Sequence, residues 1–337
     1  MKLITFSIAA YNVQNYLAEL LDSIVDVNRP DQIETLIVND GSSDSTLDIA
    51  LKYEQKYPNF IKVINKKNGG YGSTINEGLK HAKGTYFKVL DGDDWIDSKQ
   101  TRDFIDRLLL DKECDLILTN CRDVIYSETG ELIREYVEKY DNLQNGKTYH
   151  INDICKLIEW TRFHKIFYNS RLLKENKIFI DENCFYTDAE YTILPMAFVN
   201  TIRWYDYTIY NYRIYGEGQS VSYKSRMKNI GNAKTVSNRL LEFYNVEKNN
   251  LEEGKLRFIE YGVAMSCCWY ECGLLLFSPD KNRKQELINF NKKVKKNYKS
   301  IYKLMPKING GNKMINLIRL THYFVFDIYG IKNKKRK

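Results

Sequence analysis

Three aspartates within four residues, Asp91, Asp93 and Asp94, follow an apolar run that ends at Leu90. Carboxylates this close together repel one another unless a cation or solvent compensates their charge. Carboxylate oxygens suit Mg²⁺ or Mn²⁺, which proteins commonly hold with one or two acidic side chains and the phosphate oxygens of a substrate. We therefore predict a divalent cation site at this turn; the alternative is a solvated turn that binds nothing.

Asp40 and Tyr11 have the chemistry to recognise a nucleotide base. An ionised carboxylate only accepts hydrogen bonds, so Asp40 would accept from the ring N–H of uracil and repel the acceptor that cytosine presents there. The ring of Tyr11 offers a face on which a base can stack, an interaction typically worth about 1–3 kcal/mol. The alternative is that Asp40 and Asp44 only form a turn and cap the next helix. We assign the cap to Asp44 and the ligand role to Asp40.

A glycine-rich segment, Asn68-Gly69-Gly70-Tyr71-Gly72-Ser73, could bring backbone N–H groups close to a phosphate. It lacks the Lys-Ser/Thr ending of a P-loop, and no G-x-G-x-x-G follows the first apolar run. The sequence therefore disfavours kinase-like, ATPase-like and dehydrogenase functions.

The segments around these motifs alternate between strand-like and helix-like patterns. Short apolar runs typical of strands lie at 3–8, 35–38, 61–64, 86–90 and 116–118. Between the first two runs, apolar residues at 17, 20, 21 and 24 have the i, i+3, i+4, i+7 spacing of a helix. This alternation predicts an α/β fold with a mainly parallel central sheet and flanking helices. Because ligands bind beyond the carboxyl ends of parallel strands, the motifs should meet at one edge of the sheet.

In order and spacing, four segments resemble the family-two inverting glycosyltransferases, which have the Rossmann-like GT-A fold of nucleotide-diphospho-sugar transferases. The segments are Ala10-Tyr11-Asn12, residues 38–44, Asn68-Gly69-Gly70 with Asn76-Glu77-Gly78, and Leu90-Asp91-Gly92-Asp93-Asp94. The resemblance covers residues 1 to about 220. It implies a catalytic domain over 1–225, with a nucleotide-binding half at 1–120 and an acceptor and base half at 121–225.

The resemblance also implies roles for individual residues. Tyr11 would stack on the uracil of a UDP-sugar and Asp40 would hydrogen-bond it. Asp91 and Asp93 would form the DxD pair that holds Mn²⁺ or Mg²⁺, with Asp94 also close to the metal and the diphosphate. The nucleotide-binding set is Ala9, Ala10, Tyr11, Asn12, Asp40, Gly70, Gly72, Ser73, Asp91, Gly92 and Asp93. Ala9 and Ala10 stand where the family often has a proline, and the contact expected there is through the backbone.

The resemblance also implies a catalytic base further along the chain, in a segment whose sequence in the family is often Glu-Asp. This chain has Thr187 in place of the first acid, and Asp188 aligns with the base. A carboxylate within hydrogen-bond reach of the acceptor hydroxyl removes its proton as the new bond forms. Asp188 is our predicted base; Glu190, or Asp181 if the alignment shifts, is the alternative.

Two more segments resemble the family less closely. The first, 160–167, contains His164, and a lone histidine is more often structural than catalytic. The second is Tyr212-Arg213 followed by 218–222, which resembles a loop that closes over the donor phosphates. Arg213 could contact a phosphate or form a surface ion pair. The pattern of 154–173 predicts a helix, and 201–214 predicts aromatic-rich strands.

The carboxyl-terminal third is strongly basic. Residues 231–337 hold 22 Lys and Arg against 9 Asp and Glu, whereas 1–120 hold 14 against 19. This charge predicts a polyanionic partner, and because no nucleic-acid motif accompanies it we expect no nucleic acid. We predict that 226–337 is a helical, lysine-rich region that lies on an anionic membrane surface. The alternative is a helical cap whose lysines are solvated.

Composition limits where such a protein acts. No window approaches about 18 uninterrupted apolar residues, so a membrane-spanning helix is not expected. The seven cysteines include no CxxC pair, which disfavours a zinc site or a disulfide framework. We predict a cytoplasmic protein, with peripheral attachment to the inner face of the cell membrane as an option.

The motifs, together with the resemblance to the family, imply a metal-dependent, inverting glycosyltransferase that moves a hexosyl or N-acetylhexosaminyl group from a UDP-sugar. Its acceptor would be a glycan or a lipid-linked oligosaccharide in surface or capsular polysaccharide synthesis. The alternative is a catalytically silent protein on the same scaffold that binds sugar nucleotides or glycans, which would have no need of the three carboxylates and a base. A nucleotidyltransferase is disfavoured, because Ala9-Ala10-Tyr11-Asn12 is not the Gly-, Arg- and Lys-containing segment expected after the first strand.

Overall fold

A computed structural model of the chain describes residues 2–127, 129–215, 222–276, 278, 280–308, 312–321 and 323–324. The chain divides into two compact units, Met1–Gly216 and Glu217–Lys337. The domain boundary after residue 225 stays a prediction.

The amino-terminal part of the first unit is built on four parallel strands. They are β1 (Ile4–Ala10), β2 (Ile33–Asp40), β3 (Ile61–Lys66) and β4 (Tyr86–Asp91), and they lie in the order β3-β2-β1-β4. Every residue of β2 is buried, and so is almost every residue of β1. Near-continuous apolar runs are typical of parallel strands that are covered on both faces.

The sheet continues on the other side of β4 with a change of direction. The remaining strands are β5 (Trp95–Ile96), β6 (Leu116–Tyr126), β7 (Leu132–Glu138), β8 (Thr148–His150), β9 (Ile166–Asn169) and β10 (Thr201–Ile214). The order after β4 is β9-β6-β10-β5. β9 is antiparallel to both β4 and β6, whereas β10 is parallel to β6. The predicted α/β class is confirmed, with a mixed sheet.

Helices flank this sheet. They are α1 (Leu17–Val25), α2 (Thr46–Lys56), α3 (Tyr71–His81), α4 (Ser98–Leu108), α5 (Ile151–Ile154), α6 (Ser170–Glu175) and α7 (Asp188–Ile193). α1 buries the four apolar residues whose spacing predicts it. The N-cap residue of α2 is Ser45, whose side chain makes no capping bond, so the predicted cap at Asp44 is displaced by one residue. Asp44 still accepts a hydrogen bond from the Thr46 N–H at 3.0 Å and thus stabilises the turn into the helix.

The helix predicted over 154–173 is wrong. That segment holds the end of α5, a 3-10 turn at Phe163–Lys165, the strand β9 and the start of α6. All four residues of β9 are buried between β4 and β6. A short apolar run has the same appearance in a buried strand and in a buried helix, so periodicity alone could not identify this strand. The aromatic run at 201–214 is a strand, as predicted.

The second unit is helical in its described residues. Its helices are α8 (Tyr223–Lys228), α9 (Ile230–Glu247), α10 (Glu253–Leu276), α11 (Arg283–Asn297), α12 (Lys299–Leu304) and α13 (Asn312–Leu320). Glu271 on α10 is buried, and it accepts hydrogen bonds from Asn291 on α11 and Arg319 on α13. Among the described helices, none combines the length and the apolar character needed to cross a bilayer.

Candidate functional site

The predicted motifs meet at the carboxyl edge of the parallel strands. At the end of β1, Ala10 pairs with Asn39 of β2 on one side, and Ala9 pairs with Asp91 of β4 on the other. This register places the segments after β1, β2 and β4 next to one another. The expectation that the motifs share one edge of the sheet is therefore met for these three segments.

Tyr11 lies on a loop that is held firmly although its ring is open to solvent. The next residue, Asn12, has a φ of 53°; its side-chain oxygen accepts from the Ser43 N–H at 2.9 Å, and its own N–H donates to Ser42 Oγ at 3.0 Å. The loops after β1 and β2 are thus fastened together. The Tyr11 side chain is 53% exposed, so a face of its ring is available for stacking.

The Asp40 carboxylate is buried at the end of β2 and fastens the glycine-rich segment. Oδ1 accepts from Lys66 Nζ at 2.6 Å and from the Gly69 N–H at 2.9 Å, and Oδ2 accepts from the Gly70 N–H at 2.9 Å. Asp40 thus already uses the N–H groups of Gly69 and Gly70, and the predicted approach of this segment to a phosphate stays a prediction. The sequence contains both partners but gives no sign that they would pair.

Gly70, Gly72 and Ser73 face the protein interior. Gly70 has a φ of 80°, which favours glycine, and a Cβ on Gly72 would lie 2.0 Å from the carbonyl oxygen of Asp181. Ser73 is buried, and its hydroxyl donates to the Gly70 carbonyl at 2.7 Å. Close packing against 181–184 explains why glycine stands at positions 70 and 72. The predicted contact of Gly70, Gly72 and Ser73 with a nucleotide stays a prediction.

Each of the three aspartates after β4 accepts a hydrogen bond from a different tyrosine. The pairs are Tyr71 to Asp91 at 2.7 Å, Tyr215 to Asp93 at 3.1 Å and Tyr210 to Asp94 at 2.5 Å. Gly92 completes the turn, with its N–H donating to the Ala9 carbonyl at 3.1 Å. The sequence prediction missed all three tyrosines; the only signal for them is that two lie on or next to the aromatic-rich strand and one in the glycine-rich segment.

Burial shifts the protonation of this acidic turn. Burial raises the pKa of Asp91 to about 7, and the charge of Asp93 contributes to that rise. The pKa of Asp94 is also raised well above its usual range, by burial first and then by its two acidic neighbours. Both shifts arise because burial removes water from the carboxylates and because neighbouring carboxylates repel one another. The positive charge of Lys88 offsets the shift at Asp91 only in part.

Arg213 is a structural residue of this turn. Its Nε donates to the Asp93 carbonyl at 2.8 Å, and it forms an ion pair with Glu19 of α1 at 2.5 Å. The guanidinium is buried against aromatic rings, among them Trp95, whose ring centre is 4.5 Å away. Of the two predicted options, the ion pair is present, although Arg213 itself is buried. Of the loop predicted at 218–222 to close over the phosphates, residues 218–221 lie outside the described residues.

The predicted base lies at the start of α7, close to the acidic turn. Burial raises the pKa of Asp188, and the charge of Asp188 contributes to raising the pKa values of Asp91 and Tyr71. Glu190, the alternative base, is fully buried and accepts from the Asp181 N–H at 2.8 Å. Burial raises the pKa of Glu190 to about 8. Glu190 thus holds the backbone at Asp181 by a hydrogen bond, whereas the charge of Asp188 acts on the acidic turn.

His164 lies beside the same cluster. Its ring is 7% exposed and stacks on Phe163, with ring centres 3.9 Å apart, and on Tyr212 at 4.5 Å. One ligand-capable atom each from Asp91, Asp94 and His164 lie within 4.8 Å of one another. Within the described part of the chain this is the only such group of three.

Comparison with known proteins supports a transferase fold. The family model described as "Glycosyl transferase family 2" matches residues 5–185. The putative glycosyltransferase EpsH of Bacillus subtilis (strain 168) is 26% identical over 262 residues, which cover 74% of this chain and 71% of EpsH. The minor teichoic acid biosynthesis protein GgaB of the same organism is 44% identical over 87 residues. That match covers 26% of this chain and only 10% of GgaB.

Two solved structures share the fold. The S. aureus TarS 1–349 structure in complex with UDP-GlcNAc has a TM-score of 0.56 and 21% identity, over 91% of this chain and 92% of TarS 1–349. The mannosyltransferase PcManGT from Pyrobaculum calidifontis, in complex with GDP-Man and Mn²⁺, has a TM-score of 0.50 and 12% identity. That match covers 99% of this chain and 87% of PcManGT. At these identities the likeness is one of fold.

Proposed function

The chain belongs to glycosyl transferase family 2, and from that premise we propose that it is an inverting enzyme that uses a UDP-sugar. It transfers a hexosyl or N-acetylhexosaminyl group to a glycan or lipid-linked oligosaccharide in surface polysaccharide synthesis. One observation carries the proposal: the acidic turn 91–94 lies at the sheet edge where the Tyr11 ring is exposed. The charge of Asp188 acts on Asp91 of that turn, which supports the choice of Asp188 as the base. The relatives EpsH and GgaB and the UDP-GlcNAc complex of TarS are consistent with it.

The uracil site is assigned to Tyr11 and Asp40. The exposed Tyr11 ring provides the stacking surface. Asp40 Oδ2 accepts one hydrogen bond, from Gly70, and a carboxylate oxygen can accept a second. The ring N–H of uracil is a suitable second donor. Asp40 would then hold the glycine-rich segment and the base at the same time.

The residues of the acidic turn fit a divalent cation. One oxygen each of Asp91 and Asp94 lie within 4.8 Å of one another. A bound cation would favour the ionised form of both carboxylates and so offset their raised pKa values. Asp91, Asp93 and Asp94 are the residues that would hold Mn²⁺ or Mg²⁺. When bound, the cation neutralises negative charge on the diphosphate leaving group.

Asp188 is the proposed general base. The acceptor hydroxyl oxygen forms a bond to the anomeric carbon while the bond from that carbon to the diphosphate oxygen breaks on the opposite face. The hydroxyl proton goes to the Asp188 carboxylate. Because burial raises the pKa of this carboxyl, it holds a proton more strongly than an exposed aspartate, which suits a general base.

A panel of nucleotide sugars tests the donor and the base together. We expect UDP to raise the melting temperature of the chain when Mn²⁺ is present, and at least one UDP-sugar to be hydrolysed or transferred. Asp188→Asn should abolish transfer and leave UDP binding nearly unchanged, because the carboxylate acts on the acceptor. Loss of both would show that Asp188 is not the base. A metal-dependent UDP shift with no turnover of any sugar, under all acceptor conditions, would favour the catalytically silent alternative.

The second unit is assigned to an anionic membrane surface. On α13, Leu317 is 42% exposed and Leu320 is 78% exposed. Exposed apolar side chains in a region whose sequence is rich in lysine can lie in a lipid headgroup layer. Removing 310–337 would be a poor test, because it would also remove Arg319 from the buried Glu271. Leu320→Ser instead should reduce flotation with liposomes that contain anionic lipid. Equal flotation of both proteins would contradict this assignment.

A further inference from the structure

His164 has a buried imidazole with no hydrogen-bond partner for either ring nitrogen among the described residues. Leaving a buried polar group unsatisfied costs about 1–3 kcal/mol. The ring is nevertheless held in place by packing, between Phe163 and Tyr212 and against the edge of Tyr210. An unpartnered donor–acceptor group that is fixed in one position indicates that its partner is something the protein binds.

The backbone of His164 is also fixed. The Lys88 ammonium is fully buried on β4 and donates to the carbonyl oxygens of Phe163 and His164. It also lies over the rings of Phe167 and Tyr210, about 5 Å from their centres. Lys88 therefore connects the strand that ends in the acidic turn with the segment that carries the imidazole.

The imidazole lies close to two carboxylates of the acidic turn. A nitrogen of His164 and one oxygen each of Asp91 and Asp94 lie within 4.8 Å of one another. Ligands on opposite sides of a small divalent ion stand about 4.2 Å apart, since each bond is about 2.1 Å long. The three atoms therefore need to move only slightly to surround one ion. Asp93 is not a member of this group.

We infer that His164 is a protein ligand of the divalent cation, together with Asp91 and Asp94. The inference rests on the metal site of the proposed function and adds a nitrogen to an all-oxygen ligand set. Imidazole suits transition ions, whereas Mg²⁺ prefers oxygen ligands and retains its waters. The site should accordingly favour Mn²⁺ over Mg²⁺ more strongly than carboxylates alone would.

Pulsed electron paramagnetic resonance of the Mn²⁺-loaded full-length chain with UDP tests the ligand directly. We expect electron spin-echo modulation from a coordinated imidazole nitrogen, which changes when the chain is labelled with ¹⁵N-histidine. His164→Phe should abolish the modulation while it keeps an aromatic ring in the packed position. His81→Ala is the matched control, because His81 lies on α3 beside Glu77 and away from the acidic turn, and it should leave the modulation unchanged.

Metal affinity provides the second measurement. His164→Phe should weaken Mn²⁺ binding by at least about tenfold and change Mg²⁺ binding, measured by competition, much less. Bound Mn²⁺ without imidazole modulation in the unaltered chain would overturn the inference and leave the proposed function standing. No Mn²⁺ binding by the unaltered chain, with or without UDP, would instead overturn the metal site itself. The modulation is measured on the unaltered chain, so the result does not depend on the folding of a variant.

Discussion

Glu190→Gln should make the chain more stable relative to the original as the pH rises. Burial raises the pKa of Glu190 to about 8 from an ordinary value near 4.5. Between these two values the folded chain keeps a proton that the unfolded chain has lost, so the stability of the original falls with rising pH. Each pH unit is worth at most about 1.4 kcal/mol, so the whole interval amounts to about 2–5 kcal/mol.

The glutamine introduced by this substitution carries no charge at any pH, and its amide oxygen can still accept from the Asp181 N–H that Glu190 binds at 2.8 Å. The two proteins should therefore be similar near pH 5, and the variant should be the more stable one at pH 8.5. Urea unfolding followed by tryptophan fluorescence at four pH values measures the difference, as the shift in midpoint. Glu175→Gln, at an exposed position, is the control and should show no such trend.

A difference between variant and original that stays constant from pH 5 to 8.5 would refute this reasoning, since Glu190 would then be ionised in the folded chain. The same variant also separates the two candidate bases. If Asp188 is the base, Glu190→Gln should retain sugar transfer. Loss of transfer with intact UDP binding would move the role to Glu190.

Two further substitutions test the packing of the site. Gly72→Ala places a Cβ 2.0 Å from the Asp181 carbonyl oxygen, and we expect it to lower the free energy of unfolding by about 1–3 kcal/mol. Gly231→Ala, in a helix with no atom within 4 Å of the new Cβ, should instead stabilise by about 0.5–1 kcal/mol, and equal effects in urea unfolding would contradict the argument. Tyr71→Phe removes the hydrogen bond to Asp91, and we expect a loss of about 1–2 kcal/mol in EDTA. That loss should be smaller with saturating Mn²⁺, because a bound cation then compensates the carboxylate; the same loss in both conditions would argue against a cation at Asp91.

The predictable parts of the fold are those with local causes. The strands β1 to β4 follow from short apolar runs, and α1 from a helical spacing that places four apolar residues on one face. The strand β9 is not predictable in this way, because its four residues have no period that separates strand from helix, and only its position between two other strands makes it a strand. The sequence could therefore define the first half of the sheet but not its continuation.

The candidate site likewise has residues that the sequence predicts and residues whose roles depend on distant partners. The aspartates after β4 are visible in sequence because they are adjacent, whereas Tyr210 and Tyr215 hydrogen-bond to them from more than 110 residues away. Arg213 has the chemistry of a phosphate ligand, and only the fold reveals its pairing with Glu19. Whether a polar group is free for a ligand or already used within the fold depends on such distant partners, which spacing does not reveal.

The glycine-rich segment joins the proposed uracil site to the proposed base. Asp40 binds the N–H groups of Gly69 and Gly70, and the Gly69 carbonyl in turn accepts from the Asn183 N–H at 2.5 Å. Asp181 lies two residues before Asn183, and its N–H donates a hydrogen bond to the Glu190 carboxylate. The same short series of hydrogen bonds therefore fixes both the Asp40 carboxylate, which is assigned to uracil, and the turn that leads to Asp188. A substitution that loosens this series should impair donor binding and proton removal together, whereas loss of the Asp188 carboxylate alone should impair only the second.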